Sequence, residues 1–203
     1  MKESIRDLLK SNINALAIWE EDSMKMPDID SQIVDKLFKP HIIFLGLNPS
    51  KSLNKIRNFH SNSAGDKRLK SVIQGSAGDE DEKGRELLVN LIGGFMTDLM
   101  DKVESDSSKV DLKDHSFNQI EYVLQELSQE HYHLICFGGK TYKAAKNWLL
   151  NQKSDKEDVL HCQITKKPYE ITLYRVMHYS YRYGENKVGK QLNQINERID
   201  RLT

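Results

Sequence analysis

His41-Ile42-Ile43-Phe44-Leu45-Gly46-Leu47-Asn48-Pro49-Ser50 is the stretch on which the fold turns. From Ile42 the run is short, apolar and rich in β-forming residues, and it meets the turn formers Asn48, Pro49 and Ser50 at once. That pattern reads as a buried strand ending in a turn. Upstream, Ile5, Leu8, Leu9, Ile13, Leu16 and Trp19 recur at three- and four-residue intervals, which predicts one amphipathic helix. Residues 24–35 carry Pro27 and alternating acids and read as a loop, with a short lead-in to Lys39-Pro40.

Downstream of the decisive strand, residues 51–84 are polar, with helical patterning only over 68–74. Residues 86–92 read as a helix stopped by Gly93-Gly94, 95–100 as a second short strand, and the acidic, serine-rich 104–109 as a loop. Phe117, Ile120, Val123, Leu124 and Leu127 keep helical spacing. A strand over 133–137 then closes on Gly138-Gly139 and leads straight into a helix over 141–150. Strand, glycine turn and helix in that order are the unit of a parallel α/β sheet. Strands over 160–165 and 171–177 are joined through Lys166-Lys167-Pro168, and the second ends at His178. Val188, Leu192, Ile195, Ile199 and Leu202 mark a closing amphipathic helix. With no repeat and no linker, residues 1–203 read as a single domain, 1–40 its helical lead-in and 184–203 its last helix.

Composition narrows the function without naming it. The chain is 38% hydrophobic and 30% charged, as expected of a globular protein rather than a disordered one. Thirty basic residues balance thirty acidic ones, so contact with nucleic acid would depend on the local arrangement of charge, not on a global positive field. Cys136 and Cys162 have no metal-ligand spacing and read as free thiols in a reducing cytoplasm. No apolar run is long enough to span a membrane, and the amphipathic start has no signal-peptide core, so a cytoplasmic protein without a membrane partner is expected.

Ligands of open parallel sheets bind beyond the carboxyl ends of the strands, where loops and helix N-termini converge. Four apolar runs end in polar or glycine-rich turns: Gly46 to Ser50, Thr97-Asp98, Gly138 to Thr141 and His178 to Ser180. Those turns are the candidate site.

The motifs at these ends, in order, resemble the uracil-DNA glycosylase superfamily. Phe44-Leu45-Gly46-Leu47-Asn48-Pro49-Ser50 is similar to its first motif in the mismatch-specific and single-strand-selective branches. Asn58-Phe59-His60 followed by Arg68-Leu69-Lys70-Ser71-Val72-Ile73 resembles a Phe-x-His element and an Arg-led helix of the mismatch-specific branch. Met96-Thr97-Asp98-Leu99 stands where the family has its base-recognising strand end, and Leu134 to Gly139 resembles a later strand-glycine-helix element. Val176-Met177-His178-Tyr179-Ser180 is similar to the second motif, of His-Pro-Ser type. The likeness spans residues 41–183 and implies a three-layer αβα sandwich with a central, mainly parallel four-stranded sheet. It implies a monomeric DNA glycosylase that uses neither metal nor cofactor and hydrolyses the N-glycosidic bond of uracil or a related damaged base.

Such chemistry passes through an oxocarbenium-like sugar while negative charge builds on the departing base, so a site must stabilise that anion and guide water. The resemblance gives Asn48 the water and His178 a hydrogen bond to the charging carbonyl oxygen, for which a neutral imidazole suffices. Gly46 and Leu47 would lie beside sugar and base, Phe59 would stack on the extruded base, and Asp98 would read its edge. Pro49, Ser50 and Ser180 would contact the flanking DNA, and Tyr181, Arg182 and Tyr183 would form the loop that fills the vacated stack, with Arg182 at the wedge.

Two positions depart from the family. Tyr179 stands where proline is usual. Asp98 replaces an amide, and an ionised acid accepts hydrogen bonds without donating, which disfavours the O4 of uracil and suits a base that presents an amino group. Two cysteines cannot supply a four-cysteine cluster, which excludes the iron–sulfur branches. Plainer readings stand beside these. Asn48-Pro49-Ser50 also suits an ordinary turn, His178 a satisfied strand-end histidine, Phe59 a loop anchor, and His60 a surface or loop-ordering role. Asp98 also suits a backbone cap, and 181–183 a solvated loop. A weakly catalytic nucleic-acid or nucleobase binder and a nucleotide N-glycosidase are the alternative functions.

Overall fold

The computed structural model describes residues 1–10, 13–47, 59–75, 87–100, 109–110, 117–150, 161–166, 169–180 and 185–201. The loops read over 51–58, 76–84 and 104–108, and the turn at 167–168, lie outside the described residues, as do Asn48, Pro49, Ser50, Tyr181, Arg182 and Tyr183.

The decisive stretch forms strand β2 (Lys39–Gly46), whose Ile42 to Gly46 are all buried. It pairs in parallel with β3 (Gly94–Asp98) on one side and with β4 (His131–Phe137) on the other. β4 pairs in parallel with β6 (Tyr169–Val176). The four parallel strands expected in the centre are therefore present, in the order β3-β2-β4-β6. An antiparallel strand closes each edge, β1 (Ala15–Leu16) beside β3 and β5 (His161–Lys166) beside β6, making six strands among the described residues where a four-stranded sheet was expected.

The extra edge strand corrects the reading of the N-terminus. Helix α1 is only Glu3–Lys10, although Ile13, Leu16 and Trp19 continue its spacing. Asn14 to Trp19 are buried without interruption, which a one-faced helix does not allow. Ala15 and Leu16 take ladder partners on Met96 and Phe95, and Ala17 N–H donates to Gly94 at 2.8 Å. The Asn14 side chain ties this strand into the molecule, donating to the Leu8 carbonyl and accepting from the Thr97 hydroxyl at 2.7 Å.

Two further expectations change. Gln32–Leu37 is a short helix, α2, where a loop was read. Conversely, residues 87–92 form turns, not a helix. Asn90 N–H, which a helix over 86–92 would have used internally, donates instead to the Asn196 side chain, and Leu88 N–H is drawn to the Ile73 carbonyl. The other helices keep their expected places: α3 (Ala64–Gln74, beginning four residues before Arg68), α4 (Asn118–Leu127), α5 (Gly139–Leu150) and α6 (Glu185–Asp200).

Strand alternation assigns the helices to two faces. Tyr132 points to α4, where its hydroxyl donates to the Leu124 carbonyl, and α4 packs on α1 and reaches α5 through the stacked Phe117 and Trp148. Its neighbour His133 points the other way, onto Tyr174, on the side where α3 and α6 pack together. The result is a three-layer αβα sandwich. Among the described residues no helix is long and apolar enough to cross a membrane.

Topology selects one end of this sheet. After β2 the chain passes to β3, then returns across β2 to β4 and β6, so the connections leaving β2 and β4 diverge. A crevice opens where such connections part, beyond the carboxyl ends of the strands. Gly46-Leu47 and Gly138-Gly139 border it.

Candidate functional site

Hydrogen bonding holds the β2 and β3 ends together past the strands themselves. Gly46 and Asp98 are partners in register; Leu99 N–H donates to the Gly46 carbonyl at 2.9 Å and Met100 N–H to that of Leu47 at 3.1 Å. The Asp98 carboxylate folds back over Gly46, whose lack of a side chain makes the approach possible. A methyl group there would collide with Oδ1 of Asp98 and stand 3.3 Å from the ring tip of Phe59. Asp98 is 2% exposed, so this carboxylate is an interior group at the carboxyl end of the sheet.

Phe59 enters from the loop before α3 with φ of 66°, a left-handed conformation that a bulky residue adopts only when packing enforces it. Its ring is buried, with centroids 6.5 Å from Phe137 at the end of β4 and 6.2 Å from Tyr179. Phe137 in turn meets Tyr179 edge-to-face at 4.9 Å and stacks on Phe44 at 5.8 Å. These rings form an aromatic wall between the two motif loops. His60, next to Phe59, is buried too; it stacks on Trp19 and bonds the Leu16 carbonyl through Nε2, which is the loop-ordering role and not a surface one.

His178 follows β6 and lies beside the glycine turn after β4, its Cβ 3.7 Å from where a side chain on Gly138 would begin. Its Nδ1 takes the Ser180 N–H at 3.2 Å and meets the Ser180 hydroxyl at 2.8 Å. A backbone N–H can only donate, so Nδ1 is the acceptor and the ring proton sits on Nε2. Burial pushes the imidazole below the ordinary histidine range, while the charge of Asp66 opposes that shift. The ring is thus neutral near pH 7 and presents Nε2–H as a donor.

No protein-family model matches this chain, and no curated protein matches it. The chemistry of the site rests on its own geometry. Of the residues read from sequence, Gly46, Leu47, Phe59, Asp98, His178 and Ser180 all belong to the carboxyl end of the sheet. Gly46 touches Asp98 and Phe59, Phe59 reaches Tyr179, and Tyr179 stacks on His178 at 4.7 Å. Asn48, Pro49 and Ser50 continue the chain from Leu47, and Tyr181, Arg182 and Tyr183 continue it from Ser180.

The first turns of α3 were not singled out as part of this constellation. Asp66 is buried, accepts hydrogen bonds from the Ser61 and Ser63 hydroxyls, and sets its charge against the Tyr179 phenol. Arg68 donates to the Tyr179 carbonyl at 2.9 Å. Burial, reinforced by the charges of Asp66 and Asp98, pushes the Tyr179 phenol well above its ordinary value, so it stays a neutral donor. One local signal was available: Ser63-x-x-Asp66 has the spacing of a capping box, and Ser63 does accept from Asp66 N–H at 3.1 Å. Which way the carboxylate points follows from tertiary packing alone. Among the described residues no group of three His, Cys, Asp or Glu is placed to hold a metal ion.

Proposed function

We propose that the protein is a DNA N-glycosylase that hydrolyses the bond between deoxyribose and uracil, or a related damaged base, and leaves an abasic site. The observation that carries this reading is the neutral His178, whose Nδ1 accepts from the Ser180 N–H and leaves Nε2–H as the ring's donor, at the same end of the sheet as Gly46 and Asp98. As the glycosidic bond breaks, its electron pair passes to the base, and a fixed neutral donor stabilises the carbonyl oxygen on which that charge accumulates. Water then adds to the sugar carbon, and the proton it gives up passes to solvent while the departing base anion takes one up on release. Asn48, one residue beyond Leu47, is the group that would orient it. The Asp98 carboxylate favours a base edge with an amino group over one with only carbonyl oxygens, which bears on which damaged base is taken. Ser50, Ser180 and the segment 181–183 would hold the DNA. In this role the protein meets DNA in the cytoplasm and works as a monomer without a cofactor.

The test is base release from end-labelled single- and double-stranded oligonucleotides that carry uracil, its mispairs or common lesions, with a metal chelator present. Abasic sites formed by the native protein and lost in both Asn48→Ala and His178→Ala would establish the activity and identify the base. Binding without release from any substrate would leave a non-catalytic nucleic-acid module.

A further inference from the structure

Tyr179 occupies the position at which the resembling motif uses proline, a residue that stiffens a loop by its own ring. Here the loop between His178 and Ser180 is stiffened from outside, by α3. Gly65 lies so close that a side chain on it would begin 3.2 Å from the Tyr179 ring and 3.3 Å from the Ser180 Cα. Arg68 Nη1 holds the Tyr179 carbonyl at 2.9 Å. Asp66, anchored by Ser61 and by Ser63, the latter at 2.7 Å, sets its charge against the Tyr179 phenol. Tyr179 is therefore gripped at its backbone and packed at its ring, with Asp66 acting on its phenol, and it is buried.

We propose that Gly65, Asp66 and Arg68 of α3 form a clamp on Tyr179 that positions His178, doing from a neighbouring helix what proline does within the resembling motif. None of the three needs to touch substrate, so they are positioning residues. The geometry explains why a long polar side chain is tolerated beside the working histidine. A tyrosine without the clamp would leave the turn free to rotate and the imidazole free to exchange tautomers, because the Ser180 N–H that selects Nε2–H sits on the same turn. The charged groups against this loop are Asp66 and Arg68 from α3 and Asp98 from β3. Asp66 therefore also bears directly on the ionisation of the ring it helps to place.

The proposal rests on His178 being the working group, and its test separates the two ideas by reading the ring directly. The His178 nitrogens would be followed by NMR against pH in the full chain and in Tyr179→Phe and Asp66→Asn, with base release measured alongside. The native ring should show a single Nε2–H tautomer. Tyr179→Phe, which removes only the hydroxyl, should give mixed tautomers and a kcat lower by up to about 100-fold with KM little changed, as expected when a reacting group is misplaced without loss of binding. Asp66→Asn should do the same and move the His178 titration further down. A folded Tyr179→Phe and a folded Asp66→Asn that both keep the native tautomer and titration would overturn the clamp. Altered ring behaviour in the variants of a protein that releases no base would support the clamp and overturn the glycosylase instead.

Discussion

Both ends of the sheet carry histidines, half-buried at one and buried at the other, and they are built to opposite ends. At the carboxyl end His178 has Nδ1 satisfied by Ser180 and a carboxylate, Asp66, that opposes the effect of burial on its charge. At the amino end His133 is packed between His131, at 4.6 Å, and Tyr174, at 5.8 Å, with His41 edge-on at 6.2 Å. Its Nδ1 bonds the Tyr174 hydroxyl and His131 bonds Thr172. Burial drives His133 down to about 4, and the neighbouring histidines push the same way. His41 is lowered by burial, by Lys39 and by His131. Burial acts alike at both ends; the sign of the neighbouring charge separates an imidazole poised to donate from one held neutral as packing.

The largest expected effects would come from breaking the carboxyl end. His178→Gln should cut base release by about 10²–10³, the range for removing a single donor to a developing anion, and leave stability nearly unchanged. His133→Gln should do the reverse: activity intact, acid stability altered. Parallel losses of activity in both variants would erase the distinction. Gly46→Ala should follow in size, since the added methyl must displace the Asp98 carboxylate; stability should fall by roughly 1–3 kcal/mol in urea unfolding, and base release should be lost. The Asp98→Ala background should relieve much of that destabilisation, and purely additive losses in the double variant would show that the Gly46–Asp98 approach is not the cause.

Acid sharpens the contrast at the other end. An unfolded histidine titrates near pH 6.5 and the folded His133 near 4. Above both values the ring is neutral in either state and adds no slope. As pH falls below 6.5 the unfolded chain takes up the proton first, so stability drops until the folded ring is itself protonated near pH 4. For a ring 4% exposed the loss should be on the order of 2–3 kcal/mol across that window. Urea midpoints at pH 7.5, 5.5 and 4.5 would measure it, and His133→Gln should flatten the dependence.

The same contrast explains what could be read from the sequence. The central strands were legible because Ile42 to Leu47, Phe95 to Met100, Leu134 to Phe137 and Ile171 to Met177 are short runs rich in apolar residues that meet turn or polar residues, and the ends at Gly46, Asp98 and His178 lie on them. The edge strand at Ala15–Leu16 was not legible, because Leu8, Leu9, Ile13, Leu16 and Trp19 keep helical spacing by coincidence. Only the edge of β3 makes Leu16, together with Ala15, a strand. Nor were the roles of Asp66 and Arg68 visible: a helix N-terminus with serine and aspartate needs no site to explain it. The contact with Tyr179, more than 100 positions away, has no local signature.

The smallest expected effect is the finest test of how His178 is held. Ser180 offers Nδ1 two donors, a hydroxyl at 2.8 Å and its own N–H at 3.2 Å. Ser180→Ala removes only the hydroxyl. The backbone donor still demands an unprotonated Nδ1, so the Nε2–H tautomer should persist. The loss should be that of one hydrogen bond, about 0.5–1.5 kcal/mol, or roughly a two- to tenfold fall in kcat/KM. A fall as deep as that of His178→Gln would mean that the hydroxyl, not the turn, fixes the ring. Residues 178–180 would then be a side-chain pair like His131 and Thr172 at the opposite end, and the difference between the two ends would narrow to the charge of Asp66.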